Sequence, residues 1–205
     1  MRISDDRYTR DRLRLDLALR FIQHEARTHT IRLWTGLTDD RIRKLFRSYS
    51  HRPGGGAAFS RPRGRSPRQA SFFMRSPRLK QETALVASLC TLLGALPSRR
   101  SSHQDQLPGP NSPPRGFAEA LALCEAYEAY RALLPAAHIS FEHMVYLHDA
   151  LSRGDELRLA TCSGCGALLV AERVALTQAK CIHCADLAME YASGSGTSRH
   201  ASFGP

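Results

Sequence analysis

The spacing of apolar residues along the chain predicts a mainly α-helical protein. Leu13, Leu17 and Phe21 recur every four residues, which is the pattern of an amphipathic helix over 9–25. Three further helices are predicted at 79–96, 117–134 and 140–153. The first is strongly apolar, the second is amphipathic, the third is capped by Ser140, and each ends at proline or glycine. The Leu-Leu-Val triplet at 168–170 indicates a short strand.

Residues 27–47 have the pattern of a helix-turn-helix hairpin. Gly36 stands where such a turn requires a left-handed residue, and Thr38 is a favourable N-cap for the second helix. Helical spacing gives that second helix a buried face made of Ile42, Leu45 and Phe46. Its basic residues then point outward, where a recognition helix meets the major groove: Arg41, Arg43, Lys44 and Arg47.

One position departs from the helix-turn-helix pattern and leaves a second interpretation open. The site four residues before the glycine is usually small, and here it is Arg32. A helical hairpin without a role in DNA binding is therefore the alternative. The basic outer face of the second helix favours DNA.

The positive charge of the chain is concentrated in one segment. Residues 41–80 contain twelve Lys or Arg and no acidic residue, whereas the rest of the chain has 17 basic and 19 acidic residues. The net charge of +10 therefore comes from this segment, and a basic block beside a folded element is typical of phosphate binding. We expect further DNA contacts from Arg65 and Arg68, although 51–68 is also consistent with a solvated loop that binds nothing.

Two C-x2-C pairs form the most specific motif, and they consist of Cys162, Cys165, Cys181 and Cys184. Each pair offers two thiolates from a tight turn, and the fifteen intervening residues let the chain fold back, as a tetrahedral zinc site needs. Gly164 and Gly166 let the first turn bend. The alternatives are two disulfides, which need an oxidising compartment, a redox motif, which uses a single pair, or unrelated buried thiols. A closed set of four thiolates predicts one structural Zn²⁺ per chain and no catalytic position.

The sequence does not predict an enzyme. His24 and His29 stand in H-E-x3-H spacing, which puts their rings about 140° apart on a helix, so they are unsuited to one shared ion. The motifs of zinc deaminases and of glycine-rich phosphate loops do not occur. Cys90 and Cys124 lie singly in apolar stretches and are expected in the core. Surface or partly buried positions are expected for the three histidines spaced five apart, His138, His143 and His148.

The same features predict a protein of the cytoplasm, built from several segments. The first residues are charged without an apolar signal core, and the longest near-apolar run, 84–96, is too short to span a bilayer, so no membrane association is expected. The expected segments are a helical region with the hairpin at 1–50, a basic Gly/Pro/Arg loop at 51–78, a helical core at 79–156 with a Pro-rich linker at 97–116, a four-cysteine zinc module at 157–188 and a flexible tail at 189–205.

Three motifs follow one another along the chain. They are Thr-Gly-Leu-Thr in the hairpin at 35–38, Phe-Phe-Met at 72–74, and a helix ending Leu-Arg-Leu-Ala-Thr-Cys-Ser-Gly-Cys-Gly at 157–166. Together they resemble the FlhC family of flagellar transcriptional regulators over most of the chain. The four cysteines match the zinc ligands of that family one for one. The stretches at 52–68 and 97–115 look longer and more irregular than the family's, and one residue fewer separates the cysteine pairs.

The resemblance implies a DNA-binding transcriptional activator of flagellar genes. It implies FlhD as the partner in a hetero-oligomer that binds promoter DNA and activates transcription with RNA polymerase. The alternative function is a zinc-stapled adaptor that binds only protein and makes no direct DNA contact. The adaptor explains the cysteines and the helices, but it leaves the basic segment without a role.

Overall fold

The computed structural model describes residues 3–50, 64, 67–96, 116–175 and 178–186. Their helices and strands follow in the order α1 (Ile3–Gln23), α2 (Thr28–Thr35), α3 (Asp39–Ser50), α4 (Ser71–Met74), α5 (Pro77–Leu92), α6 (Phe117–Leu133), α7 (Phe141–Arg153), β1 (Leu157–Thr161) and β2 (Leu168–Glu172). A last helical turn covers 182–186. The protein is thus mainly helical, with a small two-stranded sheet and a four-cysteine cluster near its C-terminal end, as the sequence predicts.

The first three helices form the hairpin region. α2 ends at Gly36, whose φ of 68° is left-handed and whose N–H donates to the carbonyl of Arg32. Leu37 is buried in the angle before α3, and the hydroxyl of Thr38 accepts from the N–H of Arg41 at 3.4 Å. α1 packs against both α2 and α3. The turn glycine and the N-cap therefore lie where the hairpin pattern requires them.

Helices α1 to α7 all contribute to one hydrophobic core. It is filled by aliphatic and aromatic side chains, including Leu17, Phe21, Ile31, Ile42, Phe73, Leu123, Tyr130, Phe141 and Leu147. Cys90 and Cys124 are buried free thiols in this core, as expected, and burial raises the pKa of each thiol to about 12. They are therefore inert structural residues.

A buried carboxylate ties α5 to α6 and to the connection between α6 and α7. Glu82 on α5 is 2% exposed and accepts hydrogen bonds from the Tyr130 hydroxyl at 2.5 Å and from the backbone N–H of His138 at 2.9 Å. The Nδ1 of His138 and the Nε of Arg78 lie 2.8 and 3.1 Å from its other oxygen. The network fixes the α6–α7 connection against α5, because an unpaired carboxylate in this position would be costly.

The two strands form an antiparallel hairpin, with Leu157 opposite Glu172 and Thr161 opposite Leu168. Leu157 is buried in the helical core and Val170 packs against it, while α5 lies against β2 and α7 against β1. The hairpin therefore attaches the cysteine cluster to the helical core.

The structure differs from the sequence-based expectations in three places. α1 begins at Ile3, before the predicted start at residue 9. α5 ends at Leu92 and not at residue 96, because Gly94 has a φ of 80° and turns the chain so that the N–H of Leu96 donates to the carbonyl of Cys90. Residues 157–161 form a strand, not the end of a helix.

Several predicted segments coincide only in part with the described residues. The 51–78 segment contains α4 and the start of α5. The Pro-rich linker, apart from Gly116, and the tail from 189 lie outside the described residues. Within the part of the chain that is described, no helix combines the length and the apolar character that crossing a membrane requires.

Candidate metal centre and nucleic-acid interface

The hairpin and the helical turn after it bring the four cysteines together. β1 leads directly into Cys162, whose backbone N–H donates to the carbonyl of Ala167 at 2.8 Å and closes the first turn. The N–H of Ser163 donates to the carbonyl of Ala179 at 3.0 Å, which holds the returning chain beside that turn. The second pair opens the helical turn at 182–186, so both pairs lie on tight turns, as their spacing predicts.

The spacing of the sulfur atoms fits one metal ion. All four Sγ atoms lie within 4.8 Å of one another, and the Sγ atoms of Cys165 and Cys181 are 3.7 Å apart. Metal–sulfur bonds of about 2.3 Å in a tetrahedron place the sulfurs about 3.8 Å apart. The four cysteines are therefore positioned to hold one metal ion.

Backbone hydrogen bonds to the buried Sγ of Cys162 favour its thiolate form. The N–H groups of Cys181 and Gly164 lie 3.2 and 3.4 Å from the Sγ of Cys162. These donors, the Cys181 N–H first, lower the pKa of the Cys162 thiol to about 6. Hydrogen bonds that the Cys184 thiol donates to the neighbouring sulfurs, that of Cys181 first, raise the pKa of Cys184 to about 12. Four thiolates this close repel one another, so the full set ionises only around a cation.

Gly164 is required at its position by the sulfurs and not by its backbone angles. A Cβ atom there would lie 2.9 Å from the Sγ and 3.2 Å from the Cβ of Cys184. Gly166 serves the same turn differently, since its φ is 73° and open space surrounds it. In the first turn, Gly164 is therefore needed because a side chain would clash with Cys184, and Gly166 is needed because its φ is positive.

The outer face of α3 carries the predicted recognition residues. Ile42 and Phe46 are buried and Leu45 is half-buried, while the predicted contacts are all exposed: Arg41, Arg43, Lys44 and Arg47. The structure thus brings these four basic side chains to one helix face. Residue type and helical spacing alone were sufficient to predict it.

Asp39 and Asp40, which the sequence predicts at the positive end of this helix, lie in its first turn and also pair with arginines. The guanidinium of Arg43 pairs with Asp40 at 2.9 Å, and that of Arg32 pairs with Asp39 at 3.7 Å across the turn. Arg32 is exposed, so the position that is usually small in such hairpins is open to solvent here. These pairs neutralise part of the positive charge at the start of α3.

Of the two predicted loop contacts, Arg68 alone belongs to the described residues. Arg65 lies outside the described residues. Arg68 is exposed and lines a cleft between α2 and α7, together with the acidic residues Glu142, Asp149 and Glu156. The acidic lining competes with phosphate for Arg68.

His148 contradicts the expectation of a surface or partly buried ring. It is 3% exposed, and its Nε2 lies 2.7 Å from Glu119 and 3.1 Å from the carbonyl of Ala95. Although burial opposes protonation, the carboxylates of Asp149 and Glu119 and the Ala95 carbonyl raise the pKa of the ring above its ordinary value. Sequence spacing could not predict this environment, since two of its partners come from α6 and from the turn after α5.

Comparison with known proteins identifies no family for this chain. No family model matches it, and no curated protein matches it in sequence.

Proposed function

We propose that the protein is a DNA-binding transcriptional activator in which α3 is the recognition helix. The observation that carries the proposal is the outer face of α3, which presents four exposed basic side chains. The other face of this helix is apolar and buried, and a left-handed glycine forms the turn that precedes the helix. A helix of this kind fits the major groove, and its basic residues contact phosphates and base edges. Arg41 and Lys44 make no ion pair within the described residues, so they suit these contacts best.

The metal of the cluster is, in this proposal, a single structural Zn²⁺. Four cysteine thiolates at tetrahedral spacing are the donor set that zinc prefers in sites without an open position. All four positions are protein ligands, so the ion stabilises the fold and takes no part in a reaction. The protein is accordingly proposed to have no enzymatic activity.

The resemblance to the FlhC family gives the proposal its biological content. On that basis the protein acts in the cytoplasm, pairs with FlhD in a hetero-oligomer, and activates flagellar promoters with RNA polymerase. Co-expression with FlhD from the same genome, followed by measurement of mass and metal content, tests the pairing. A stable complex with one zinc per chain is expected; a monodisperse monomer that ignores FlhD would count against this family.

A protein-binding adaptor is the second candidate, and one observation favours it. Asp39 and Asp40 lie in the first turn of α3, where a recognition helix enters the groove, and they pair with nearby arginines. Carboxylates at that end repel phosphate and suit a protein surface. In the adaptor, the hairpin is a packing or dimerisation element.

DNA binding by single variants separates the two functions. Lys44→Ala and Arg43→Ala each remove a basic side chain from α3, whereas Arg68→Ala removes a basic side chain outside this helix. If α3 reads bases, the α3 variants lose discrimination between promoter and random duplex by about 1–3 kcal/mol for each base contact. Arg68→Ala keeps this discrimination and reduces the log–log salt slope by about 0.9, since it removes one phosphate contact.

The control is Arg12→Ala, which removes an exposed arginine from α1. It is expected to leave affinity, salt slope and discrimination close to those of the unmodified protein. If the α3 variants keep full discrimination, α3 is not the reading element. No mobility shift at low salt, with or without FlhD, supports the adaptor.

A further inference from the structure

The outer edge of β2 borders an open groove with a volume of about 580 Å³. α5 forms one wall through Lys80 and Ala84, and the chain that returns to the second cysteine pair forms the other through Ala179 and Lys180. All five residues of β2 line the groove between these walls. A strand edge therefore lies along the floor of a cleft.

Hydrogen bonds at the two ends of the hairpin fix the pairing between β1 and β2. The N–H of Cys162 donates to the carbonyl of Ala167 at 2.8 Å, and the N–H of Arg173 donates to the carbonyl of Glu156 at 2.9 Å. In antiparallel pairs, hydrogen-bonded and non-hydrogen-bonded positions alternate. Both ends give the same alternation, so the direction of each backbone group of β2 is determined.

This alternation leaves three residues of β2 with backbone groups that point away from β1. Leu169 and Ala171 bond with β1, whereas Leu168, Val170 and Glu172 occupy non-hydrogen-bonded pairs, and the C=O of Glu172 accepts from the N–H of Ala175. Among the described residues, no backbone group pairs with the N–H or C=O of Leu168 and Val170 on their outer side. An edge of this kind is a template for another strand.

We propose that this edge binds an extended segment of a partner protein, which adds to β2 as a third strand. Main-chain hydrogen bonds to Leu168 and Val170 supply the pairing, in the manner of strand addition to a sheet edge. Since alternate side chains of a strand face opposite sides, one set meets the apolar groove and the other meets its rim. This strand edge is separate from the DNA-reading face proposed for α3.

The charges on the rim define the chemistry of that segment. Lys80 on α5 and Lys180 on the returning chain are both exposed and stand on opposite walls, while the one acidic residue of the lining is Glu172 at the end of β2. Two cations on the walls favour acidic side chains in the ligand. The partner segment therefore alternates apolar and acidic residues.

The proposal is tested on the metal-loaded full chain with a capped peptide of about ten residues that alternates valine and glutamate. Saturable binding is expected, together with amide exchange at Leu168 and Val170 that slows by about tenfold or more. The amides of Leu169 and Ala171, which already bond with β1, are expected to change little. A matched peptide that alternates valine and lysine is expected to bind about tenfold more weakly.

Three variants distinguish the role of the strand edge from that of the rim. Leu168→Pro removes the outward N–H at the first position of the strand, where proline is tolerated. It is expected to lower the affinity for the acidic peptide by about tenfold or more. Leu168→Val keeps that N–H and is expected to bind like the unmodified chain. The double variant Lys80→Glu and Lys180→Glu leaves the backbone intact and is expected to prefer the lysine peptide.

Three results would overturn the proposal. The first is the absence of saturable acidic-peptide binding up to about 1 mM. The second is equal affinity for the acidic and basic peptides, which removes the role of the rim. The third is binding only after deletion of 187–205, which would make the chain's own C-terminal segment the occupant of the groove in place of a partner.

Discussion

Gly164 connects the shape of the first cysteine turn to the metal at the level of a single residue. The position has ordinary backbone angles, yet a Cβ there would lie 2.9 Å from a sulfur ligand. The sequence indicated a flexible turn, and the structure shows that the need is for space beside Cys184. Sulfur positions and backbone therefore constrain one another, which is the property of a preformed ligand set.

Gly164→Ala is expected to weaken metal binding without unfolding the helical core. The added methyl group must displace Cys184, so competition with a chelator is expected to show an affinity lower by about tenfold or more. Ser163→Ala is the matched control, because the neighbouring side chain is exposed and its turn uses only the backbone N–H. Unchanged affinity in Gly164→Ala would show that the second turn adjusts freely.

Glu82 is expected to make stability depend on acidic pH. Hydrogen bonds from Tyr130, His138 and Arg78 outweigh its burial and lower the pKa of this carboxyl from 4.5 to about 2. A folded-state pKa below the unfolded one gives stabilisation that is complete above about pH 4.5 and lost as pH falls towards 2, on the order of 3 kcal/mol in all.

Urea unfolding between these pH values measures the effect. Glu82→Gln is expected to be less stable at neutral pH by about 1–3 kcal/mol, because an amide cannot accept at both former carboxylate oxygens. It is also expected to lose the pH dependence that Glu82 contributes. A variant with the same pH dependence as the unmodified chain would assign the acid sensitivity to another group.

Local signals explain why some elements were predictable from the sequence and others were not. The hairpin depends on Gly36, Thr38 and a helical repeat, all within one short segment, and it formed as predicted. β1 was missed because 157–161 is rich in helix-forming Leu and Ala, and only pairing with β2 makes it a strand. The end of α5 was misplaced because Gly94, and not the proline that follows, turns the chain.

Gly36→Val tests whether the hairpin turn depends on its left-handed residue. With φ at 68°, a β-branched side chain is strained, so a loss of about 1–3 kcal/mol is expected in urea unfolding. Gly36→Asn is the matched control, because asparagine tolerates this region and is expected to cost less. A steric clash would not account for a loss of stability, since nothing lies within 4 Å of a Cβ at this position. Equal stability of the two variants would mean that the turn relaxes to another conformation.

The whole molecule joins a helical core to a metal module through one short hairpin. The cysteine cluster was predictable because its ligands come in two local pairs, whereas the Glu82 network draws on α5, α6 and the connection to α7. Long-range polar networks leave no periodic signal in one sequence. The basic face of α3 was predictable for the same local reason, but its pairing with acidic neighbours emerged only from the geometry.

Metal removal is expected to unfold the module while the helices stay folded. The large buried side chains lie almost entirely in α1–α7, so the core keeps its hydrophobic stabilisation without the cluster. Four thiolates without a cation repel one another, so Cys162→Ser, Cys184→Ser or a chelator is expected to speed amide exchange across 160–186. Far-UV circular dichroism is expected to keep most of its helical signal.

Cys90→Ala is the matched control for these variants, because it removes a buried thiol outside the cluster and is expected to leave the metal content unchanged. Leu157 is buried in the helical core and Val170 packs against that core, so unfolding of the hairpin also removes part of the packing of the core. Collapse of the helical signal together with the module would show that the two fold as one cooperative unit. Retention of amide protection in the metal-free module would instead mean that the hairpin, and not the ion, holds the cysteines together.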